Sequence, residues 1–306
     1  MSDFRSGFVA IVGRPNVGKS TLINALVGSK IAITSHHPNT TRSAIRGIVH
    51  GENFQAVLVD TPGVHKPKTL LGHRLNAVVD QSMDSVDVVI LCIPADETSG
   101  AGDIYIAQEI AKHPRAKKFA VITKTDLLSK EKLALRLTGI MELAQGFTWD
   151  EIIPVSAAIH DQIDLLNKLI GAALPAGPAY YPEGTTSDQA IEQLICEFIR
   201  EAALQDVREE LPHSIVVTID EFGEREEKGS RPFYDVHATI HVERDTQRAI
   251  LLGHQGVRLK EIGIRARADI ERALVAKIFL GLHIKVSKEW QRDARMLDKL
   301  GFEERR

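Results

Sequence analysis

The chain has 306 residues, of which 43% are hydrophobic and 26% charged, as in an ordinary globular protein long enough for two domains. Its formal net charge of −3 excludes a uniformly basic coat for nucleic acid, although a whole-chain sum can conceal a local basic patch. The chain lacks both an export signal and an apolar run long enough to span a bilayer, so a cytoplasmic location is expected.

Short apolar runs alternate with helix-like stretches over residues 1–174. The runs are continuous, as is typical of strands covered by helices on both faces of a mostly parallel sheet. They lie at residues 8–12, 56–59, 86–93, 119–122 and 152–155. Helices are predicted between them, for example at residues 20–26 and 103–112. This order of elements indicates an open α/β sheet.

Residues 175–188, PAGPAYYPEGTTSD, contain three prolines and two glycines and predict an interdomain linker. The remainder, residues 189–306, has the pattern of a small α+β domain. We expect a helix at 190–203, half-solvated strands at 213–221 and 234–242, and a helix after Gly256. A strand at 276–286 and a final helix from Glu289 complete the domain. The predicted domains are therefore 1–174 and 189–306.

A phosphate-binding motif follows the first predicted strand. Residues 13–20, GRPNVGKS, match G-x-x-x-x-G-K-[ST] at every fixed position, with a strand before and a helix after. Inward-pointing N–H groups and the helix N-terminus would surround the phosphates. Lys19 would place its charge between the β- and γ-phosphates, and the Ser20 hydroxyl would bind Mg²⁺. The predicted nucleotide-binding residues of this loop are Gly13, Asn16, Val17, Gly18, Lys19, Ser20 and Thr21.

Two further segments complete the predicted phosphate site. In the sequence DTPG, Asp60 ends a strand where nucleotide folds place a carboxylate near magnesium, and the Gly63 N–H would meet the γ-phosphate. In HPNTTR, Thr41 is the predicted ligand of Mg²⁺ and the γ-phosphate, with Thr40 as the alternate. The residue after DTPG is Val64, so the chain lacks the Gln that positions water in Ras-like enzymes.

Two motifs at later strand ends predict a site for guanine. The sequence TKTD resembles the N-K-x-D motif of GTPases, with Thr123 in place of Asn. Asp126 would accept hydrogen bonds from guanine N1 and N2, which adenine cannot offer, and the Lys124 stem would stack along the base. Ser156 and Ala157 resemble the loop whose backbone reads guanine O6. The glycine that often follows this loop is His160 here, which puts the loop's conformation in question.

A second glycine loop lies far down the chain. Residues 253–256, GHQG, have apolar residues before them and a basic helix-like stretch after them, a pattern that resembles a KH domain, whose loop clamps about four nucleotides of RNA. Residues 185–243 carry 5 Lys and Arg against 14 Asp and Glu, whereas residues 244–295 carry 12 against 6, which favours one basic binding face. A tight turn and a solvated helix face are the alternatives. The predicted RNA-binding residues are Gly253, His254, Gln255, Gly256, Arg258, Lys260, Arg265 and Arg267.

Together, GRPNVGKS, NTTR, DTPGVHKPKTLLGH, TKTD, VSA and LLGHQGVRLKEIG resemble the bacterial Era family of GTPases over nearly the whole chain. The resemblance implies a P-loop GTPase domain with a mostly parallel sheet, followed by a small α+β KH-like domain of type II. It implies Mg²⁺-dependent hydrolysis of GTP to GDP and phosphate at a slow intrinsic rate, with K⁺ held by Asn16 as a stimulating ion. The implied catalytic residues are Asn16, Lys19, Thr41 and Gly63, and the implied metal ligands are Ser20, Thr41 and Asp60.

The same resemblance implies a cellular role. Era-family proteins bind the 3′ end of 16S ribosomal RNA, act in maturation of the small (30S) ribosomal subunit, and associate peripherally with the inner face of the cell membrane. A monomer is expected. Two other functions remain open from the residues: a GTPase of tRNA modification or signalling whose second domain docks a protein, and a P-loop ATPase in which TKTD is coincidental.

Overall fold

The computed structural model describes residues 4–33, 45–60, 86–205, 215–225 and 231–300. Thr40, Thr41, Gly63 and Val64 lie outside these ranges. The chain divides into two compact units, and beyond residue 86 the division falls between Asp188 and Gln189. Within the described ranges, no helix is long and apolar enough to cross a membrane.

A six-stranded sheet organises the first unit. Its strands are β1 (Arg5–Val12), β2 (Ile45–His50), β3 (Phe54–Asp60), β4 (Val88–Pro94), β5 (Lys117–Thr123) and β6 (Glu151–Pro154). The order across the sheet is β2-β3-β1-β4-β5-β6, and all neighbours are parallel except β2 and β3. The mostly parallel α/β sheet predicted from the apolar runs is therefore confirmed, with one antiparallel strand added at its edge.

Four described helices cover the two faces of this sheet, namely α1 (Lys19–Val27), α2 (Ala101–Ala111), α3 (Lys130–Met141) and α4 (Ile163–Ala173). Side chains of β1 alternate between two separate apolar clusters. Val9 and Ile11 pack on one side with residues of α1 and α4, and Ala10 and Val12 pack on the other with residues of α2. Burial on both faces explains why the strands read as continuous apolar runs.

The strand order also determines where functional loops meet. The carboxyl ends of parallel strands lie at one edge of a sheet, and ligands of open α/β sheets bind there. Strand β4 lies between β1 and β5, so the loop after β4 lies between the loops that follow those two strands. We call residues 95–100 the post-β4 loop.

Residues 175–188, predicted as a linker, are held on the first unit. Ser6 N–H donates to the Pro175 carbonyl at 3.0 Å, and Ile48 N–H donates to the Thr186 carbonyl at 2.9 Å. An isolated antiparallel bridge joins Gly47 to Ser187. The segment thus begins beside the start of β1, and residues 186–187 lie beside β2. The predicted domain boundaries at residues 174 and 189 stay predictions.

The second unit is a three-stranded sheet with helices. In chain order its elements are α5 (Ile191–Leu204), β7 (Val216–Arg225), β8 (Phe233–Val242), α6 (Asp245–Leu252), α7 (Val257–Leu274), β9 (Lys277–Val286) and α8 (Ala294–Lys299). Strand β8 is central, antiparallel to β7 and parallel to β9. Helices α5 and α7 bury Phe198, Ile262 and Ala266 in one core with the sheet. This is the small α+β domain that was expected.

Two details of this unit differ from the predictions. The final helix begins at Ala294 rather than near Glu289, because Glu289 lies in the left-handed region at φ 51° and Asp293 caps the helix by accepting hydrogen bonds from the N–H groups of Arg295 and Met296. Helix α6 was not predicted. It has only 8 residues, so it offers barely two turns of apolar periodicity.

Candidate functional site

The phosphate loop follows β1 and leads directly into α1. A side chain at Gly13 is excluded, because an added Cβ would lie 2.7 Å from the Cys92 carbonyl oxygen. Gly18 caps the N-terminus of α1 in the left-handed region at φ 95°. Asn16 also has a positive φ, of 63°. The glycines therefore let the main chain turn closely over the end of β4, as a phosphate cradle requires.

Lys19 lies within this loop. Its side chain is buried, and Nζ donates to the carbonyl oxygens of Gly13 at 3.1 Å and Arg14 at 2.8 Å. Burial lowers the pKa of Lys19, and the nearby Asp60 and Cys92 partly oppose that shift. An ammonium held so close to the loop backbone is positioned to meet a phosphate chain.

The predicted metal ligands converge at the end of β3. Ser20 Oγ donates to Asp60 Oδ2 at 3.0 Å, and the Asp60 side chain is fully buried. Hydroxyl and carboxylate oxygens are the hard donors that Mg²⁺ prefers, and Mg²⁺ sites commonly take one or two protein oxygens together with phosphates. The described residues therefore fit a magnesium ion. The third predicted ligand, Thr41, lies outside the described residues, as does Gly63.

The base-recognition motifs come together at the ends of β5 and β6. Ser156 Oγ donates to Asp126 Oδ1 at 2.5 Å, which orients the carboxylate expected to bind guanine. The buried Thr123 hydroxyl donates to the Val17 carbonyl of the phosphate loop. Lys124 is in the left-handed region at φ 57°, with Nζ 4.0 Å from Asp96 Oδ1. Asp96 belongs to the post-β4 loop and was not anticipated from the sequence.

His160 adopts the backbone conformation that glycine favours at this place. Its φ is 59°. The loop is closed by two main-chain hydrogen bonds between Ser156 and Asp161, at 2.9 and 3.1 Å. Histidine is among the residues enriched at positive φ, which makes its presence tolerable. The loop therefore keeps a closed conformation without the glycine.

The second glycine loop joins α6 to α7. Gly253 has φ 69° and Gly256 has φ 79°, and Gln255 between them has φ 51°. A Cβ at Gly253 would lie 2.8 Å from Arg258 Cβ, so the close turn requires glycine there. Gly256 is the N-cap residue of the 18-residue helix α7. N–H groups at such a terminus attract phosphates.

The predicted RNA-binding cations divide between two faces of α7. Residues 258 and 265 are seven apart and share one face of the helix, as do residues 260 and 267. The two pairs are offset by two residues, which corresponds to a rotation of about 200° and places them on different faces. Lys260 and Arg267 line a groove of about 660 Å³ between α7 and β9, together with Gly256. Arg258 and Arg265 line a smaller groove of about 350 Å³ towards the end of α5, together with Gly253 and His254.

The α5-side cations already have partners. Arg258 Nη2 donates to the Gln205 main-chain carbonyl at 3.3 Å, and Arg265 Nη1 donates to Gln205 Oε1 at 3.2 Å. Both bonds join α7 to Gln205, the residue that follows α5. They therefore hold the two guanidinium groups against the protein itself.

The groove on the β9 side has an apolar wall that the sequence reasoning missed. Ile264 is 61% exposed and Phe279 is 45% exposed, although both are large hydrophobic residues. Arg267 Nε lies 3.3 Å from Glu271 Oε1, in an ion pair within one helix whose partners are both partly exposed. Such a surface, with cations beside apolar side chains, suits the stacking of unpaired bases.

Residues 8–124 match a protein family described as 50S ribosome-binding GTPase, and residues 210–291 match the KH domain. GTPase Era of Mycobacterium bovis (strain BCG / Pasteur 1173P2) is 53% identical over 304 residues, covering 99% of this chain and 100% of that protein. The chain belongs to the Era family of GTPases. GTPase Era of Nocardioides sp. (strain ATCC BAA-499 / JS614) is 52% identical over 301 residues, covering 97% of this chain and 96% of that protein.

Two solved Era structures match nearly the whole length of the chain. One is Era in complex with MgGDPNP and nucleotides 1506–1542 of 16S ribosomal RNA, with a TM-score of 0.92 and 34% identity over 98% of this chain and 100% of that chain. The other is a variant of Aquifex aeolicus Era bound to GDP·AlF4⁻, with a TM-score of 0.91, 34% identity and the same coverage. The family resemblance, the GTPase activity and the KH domain expected from the motifs are therefore confirmed. The roles of individual residues stay predictions.

Proposed function

We propose that this Era-family GTPase binds the 3′ region of 16S ribosomal RNA through its KH domain and acts in maturation of the small (30S) ribosomal subunit, using Mg²⁺ and GTP. One observation carries the proposal. The solved Era structure that holds MgGDPNP and nucleotides 1506–1542 of 16S ribosomal RNA resembles 98% of this chain, so both units have a counterpart in it.

The phosphate and base loops of the first unit support the nucleotide part of the proposal. In this proposal Lys19 would meet the β- and γ-phosphates and Gly63 the γ-phosphate. The residues that would hold guanine are Thr123, Lys124, Asp126, Ser156 and Ala157. Ser20 and Asp60, whose oxygens lie 3.0 Å apart, would hold Mg²⁺ together with Thr41. Bound Mg²⁺ neutralises charge on the phosphates. The chain itself orients the phosphates through its loop N–H groups and Lys19.

The groove between α7 and β9 supports the RNA part. Its cations, Lys260 and Arg267, lie near Gly256, and its apolar wall includes Ile264 and Phe279. Phosphates would lie at the glycine loop, and unpaired bases would stack on the apolar wall.

The α5-side pair, Arg258 and Arg265, contributes less to RNA binding. Its guanidinium groups are bound to Gln205, and RNA would have to break those bonds between helices. The contact of Arg267 with Glu271 is an exposed pair within one helix, which is worth little and costs little to exchange for a phosphate.

Paired variants of the full-length protein test this arrangement. With GTP bound, it is titrated with an RNA oligonucleotide of the 16S 3′ region and with a scrambled oligonucleotide. Lys260→Ala with Arg267→Ala should weaken binding and reduce the salt slope of the affinity by about 1.4, since each single-strand phosphate contact contributes about 0.7. Arg258→Ala with Arg265→Ala removes the same charge and serves as the matched control, with a smaller effect.

The outcomes separate the functions that the sequence left open. Equal affinity for the scrambled oligonucleotide would contradict specific recognition of the 16S 3′ region. Absence of salt-sensitive RNA binding would instead favour a GTPase whose second domain docks a protein. ATP binding as tight as GTP binding would contradict the guanine site.

We infer further that hydrolysis is slow without a stimulating ion and that K⁺, held by Asn16, increases its rate. Asn16 lies in the phosphate loop at φ 63° and its side chain is exposed. GTP turnover should be faster in K⁺ than in Na⁺ at equal ionic strength, and Asn16→Ala should remove the difference. Equal rates in the two salts would contradict this inference.

Three expectations from the sequence remain proposals: a monomer, a cytoplasmic location, and peripheral contact with the inner face of the cell membrane. Sedimentation of the purified protein measures the first. Flotation with anionic and neutral lipid vesicles, in GDP and in a GTP analogue, measures membrane contact. An oligomer, or absence of flotation with either vesicle type, would contradict the corresponding expectation.

A further inference from the structure

The post-β4 loop contacts the phosphate loop on one side and the base-recognition motif at the end of β5 on the other. Ala95 N–H donates to the Thr123 carbonyl at 2.8 Å, and Asp96 Oδ1 lies 4.0 Å from Lys124 Nζ. On its other side the loop meets the phosphate loop through Glu97, which forms an ion pair with Arg14 at 3.0 Å. Its position between β1 and β5 makes both sets of contacts possible.

Arg14 attaches the phosphate loop to α2 and to the post-β4 loop. Its Nε donates to Asp103 Oδ1 at 2.9 Å, and its Nη2 donates to Glu97 Oε2 at 3.0 Å. The Arg14 side chain is 26% exposed and that of Asp103 is 0% exposed. A shielded pair with hydrogen bonds of this length is stronger than an ion pair on the surface.

Asp103 is itself fixed, so it can serve as an anchor. Its Oδ2 accepts the Gly100 N–H at 2.9 Å in the first turn of α2, where a carboxylate is stabilised by the helix dipole. The aliphatic part of the Arg14 side chain packs closely against this turn. A Cβ added at Gly102 would come within 2.8 Å of Arg14 Cδ.

We propose that Arg14 is a positioning residue for GTP binding, which holds the phosphate loop in its nucleotide-accepting shape by anchoring it to Asp103 and Glu97. The same residue reaches into the site through its backbone, since its carbonyl oxygen accepts Lys19 Nζ at 2.8 Å. Its guanidinium points away from the loop interior towards α2. A loop held before the ligand arrives does not lose conformational freedom on binding, and this raises affinity.

The test compares Arg14→Ala, Asp103→Asn and the double variant in the full-length protein. We measure the Kd for GDP and for GTP, kcat at saturating GTP, and the Tm without nucleotide. Each single variant should raise both Kd values about tenfold, or about 1.4 kcal/mol, with kcat changed less than twofold. The double variant should bind no more weakly than the weaker single variant, because both changes break the same pair.

Lys117→Ala is the matched control. It removes an ion pair of 2.9 Å, to Asp150, at the amino end of β5 and so away from the nucleotide-binding loops at the carboxyl ends, and it should leave both Kd values unchanged. If Asp103→Asn does not fold, Glu97→Gln replaces it with an expected two- to threefold rise in Kd, since Glu97 is 48% exposed.

Three results would overturn the proposal. Unchanged Kd values with a lowered Tm would show that Arg14 only stabilises the fold. A double variant in which the two losses multiply would show that Arg14 and Asp103 act separately. A loss confined to kcat would place Arg14 in the hydrolysis step rather than in binding.

Discussion

The hydroxyl of Thr123 donates a hydrogen bond to the main-chain carbonyl of Val17, which ties the base-recognition strand directly to the phosphate loop. In the usual GTPase motif this position holds asparagine, whose longer side chain could span a wider gap. Here the loop comes close enough for threonine, since a Cβ added at Gly18 would lie 3.6 Å from Thr123 Cβ. The shorter side chain therefore still makes the connection.

Replacement of this hydroxyl tests its contribution. Thr123→Val keeps the shape but removes the donor, so the buried Val17 carbonyl loses a partner and the free energy of unfolding should fall by about 1–2 kcal/mol. GDP affinity should fall several-fold, because the loop is held less firmly. Urea unfolding and nucleotide titration measure the two effects. Thr123→Asn is the control that can restore the bond, and wild-type affinity in Thr123→Val would contradict the explanation.

Asp126 should determine which base is bound. Asp126→Asn replaces an acceptor with an amide that donates, so it can no longer accept two hydrogen bonds from guanine N1 and N2, and GTP affinity should fall about a hundredfold or more. Xanthosine triphosphate carries a carbonyl at C2 and should bind the variant better than it binds the natural chain. Competition titrations with GTP, ATP and xanthosine triphosphate measure the exchange. An unchanged preference for GTP would remove Asp126 from the base site.

His160 should be replaceable by glycine with a gain in stability. A non-glycine residue in the left-handed region costs about 1–2 kcal/mol, and glycine loses about 0.5–1 kcal/mol through its greater freedom in the unfolded chain. His160→Gly should therefore raise the free energy of unfolding by about 0.5–1 kcal/mol, measured by urea unfolding of the nucleotide-free protein. His160→Ala keeps the unfavourable backbone conformation and should bring no gain. A destabilised His160→Gly would show that the imidazole makes a contribution of its own.

The two thiols should be unreactive in the folded protein. Burial raises the pKa of Cys92 and of Cys196 from 9.0 to about 12. At pH 8 the thiolate fraction is then on the order of 10⁻⁴, so a disulfide reagent should modify neither until the chain unfolds. A fast-reacting thiol in native buffer would contradict this burial, and Cys196→Ser would identify which of the two reacts.

The same shifts determine the direction of a pH effect. The folded state favours the neutral thiols, so their contribution to stability is complete below pH 9 and is lost as the pH rises from 9 towards 12. For each thiol, the free energy of unfolding should fall by about 1.4 kcal/mol per pH unit in that window. Urea unfolding at several alkaline pH values, with Cys92→Ala as the comparison, measures the slope.

In the first unit, sequence motifs identified those residues whose positions follow from the strand or helix next to them in the chain. Lys19 and Ser20 follow the loop after β1 and Asp60 ends β3, and the carboxyl ends of neighbouring parallel strands lie together whatever the details of packing. The contact of Arg14 with Asp103 joins residues that are 89 positions apart, so the spacing of residues in a motif cannot predict it. Strand β2 was missed because Arg46 and Gly47 interrupt its apolar run.

In the second unit, the sequence predicts which cations of α7 share a face but not what each face contacts. Helical periodicity already separates Arg258 and Arg265 from Lys260 and Arg267, yet it does not say which row faces β9 and which faces α5. That choice depends on how Ile262, Ala266 and Ile270 pack into the core. The exposed Ile264 and Phe279 carry no sequence signal of their own, because isolated hydrophobic residues on a surface are common.

The strip formed by residues 185–187 beside β2 bears on how a fragment of this protein should be cut. It pairs with Gly47 and Ile48, so it covers what would otherwise be an open strand edge. An open edge is a template for intermolecular pairing and aggregation. A fragment that ends at residue 174 removes this cover, whereas one that ends at residue 188 retains it. Purified GTPase fragments of the longer form are therefore the better material for crystallisation and for work at high concentration.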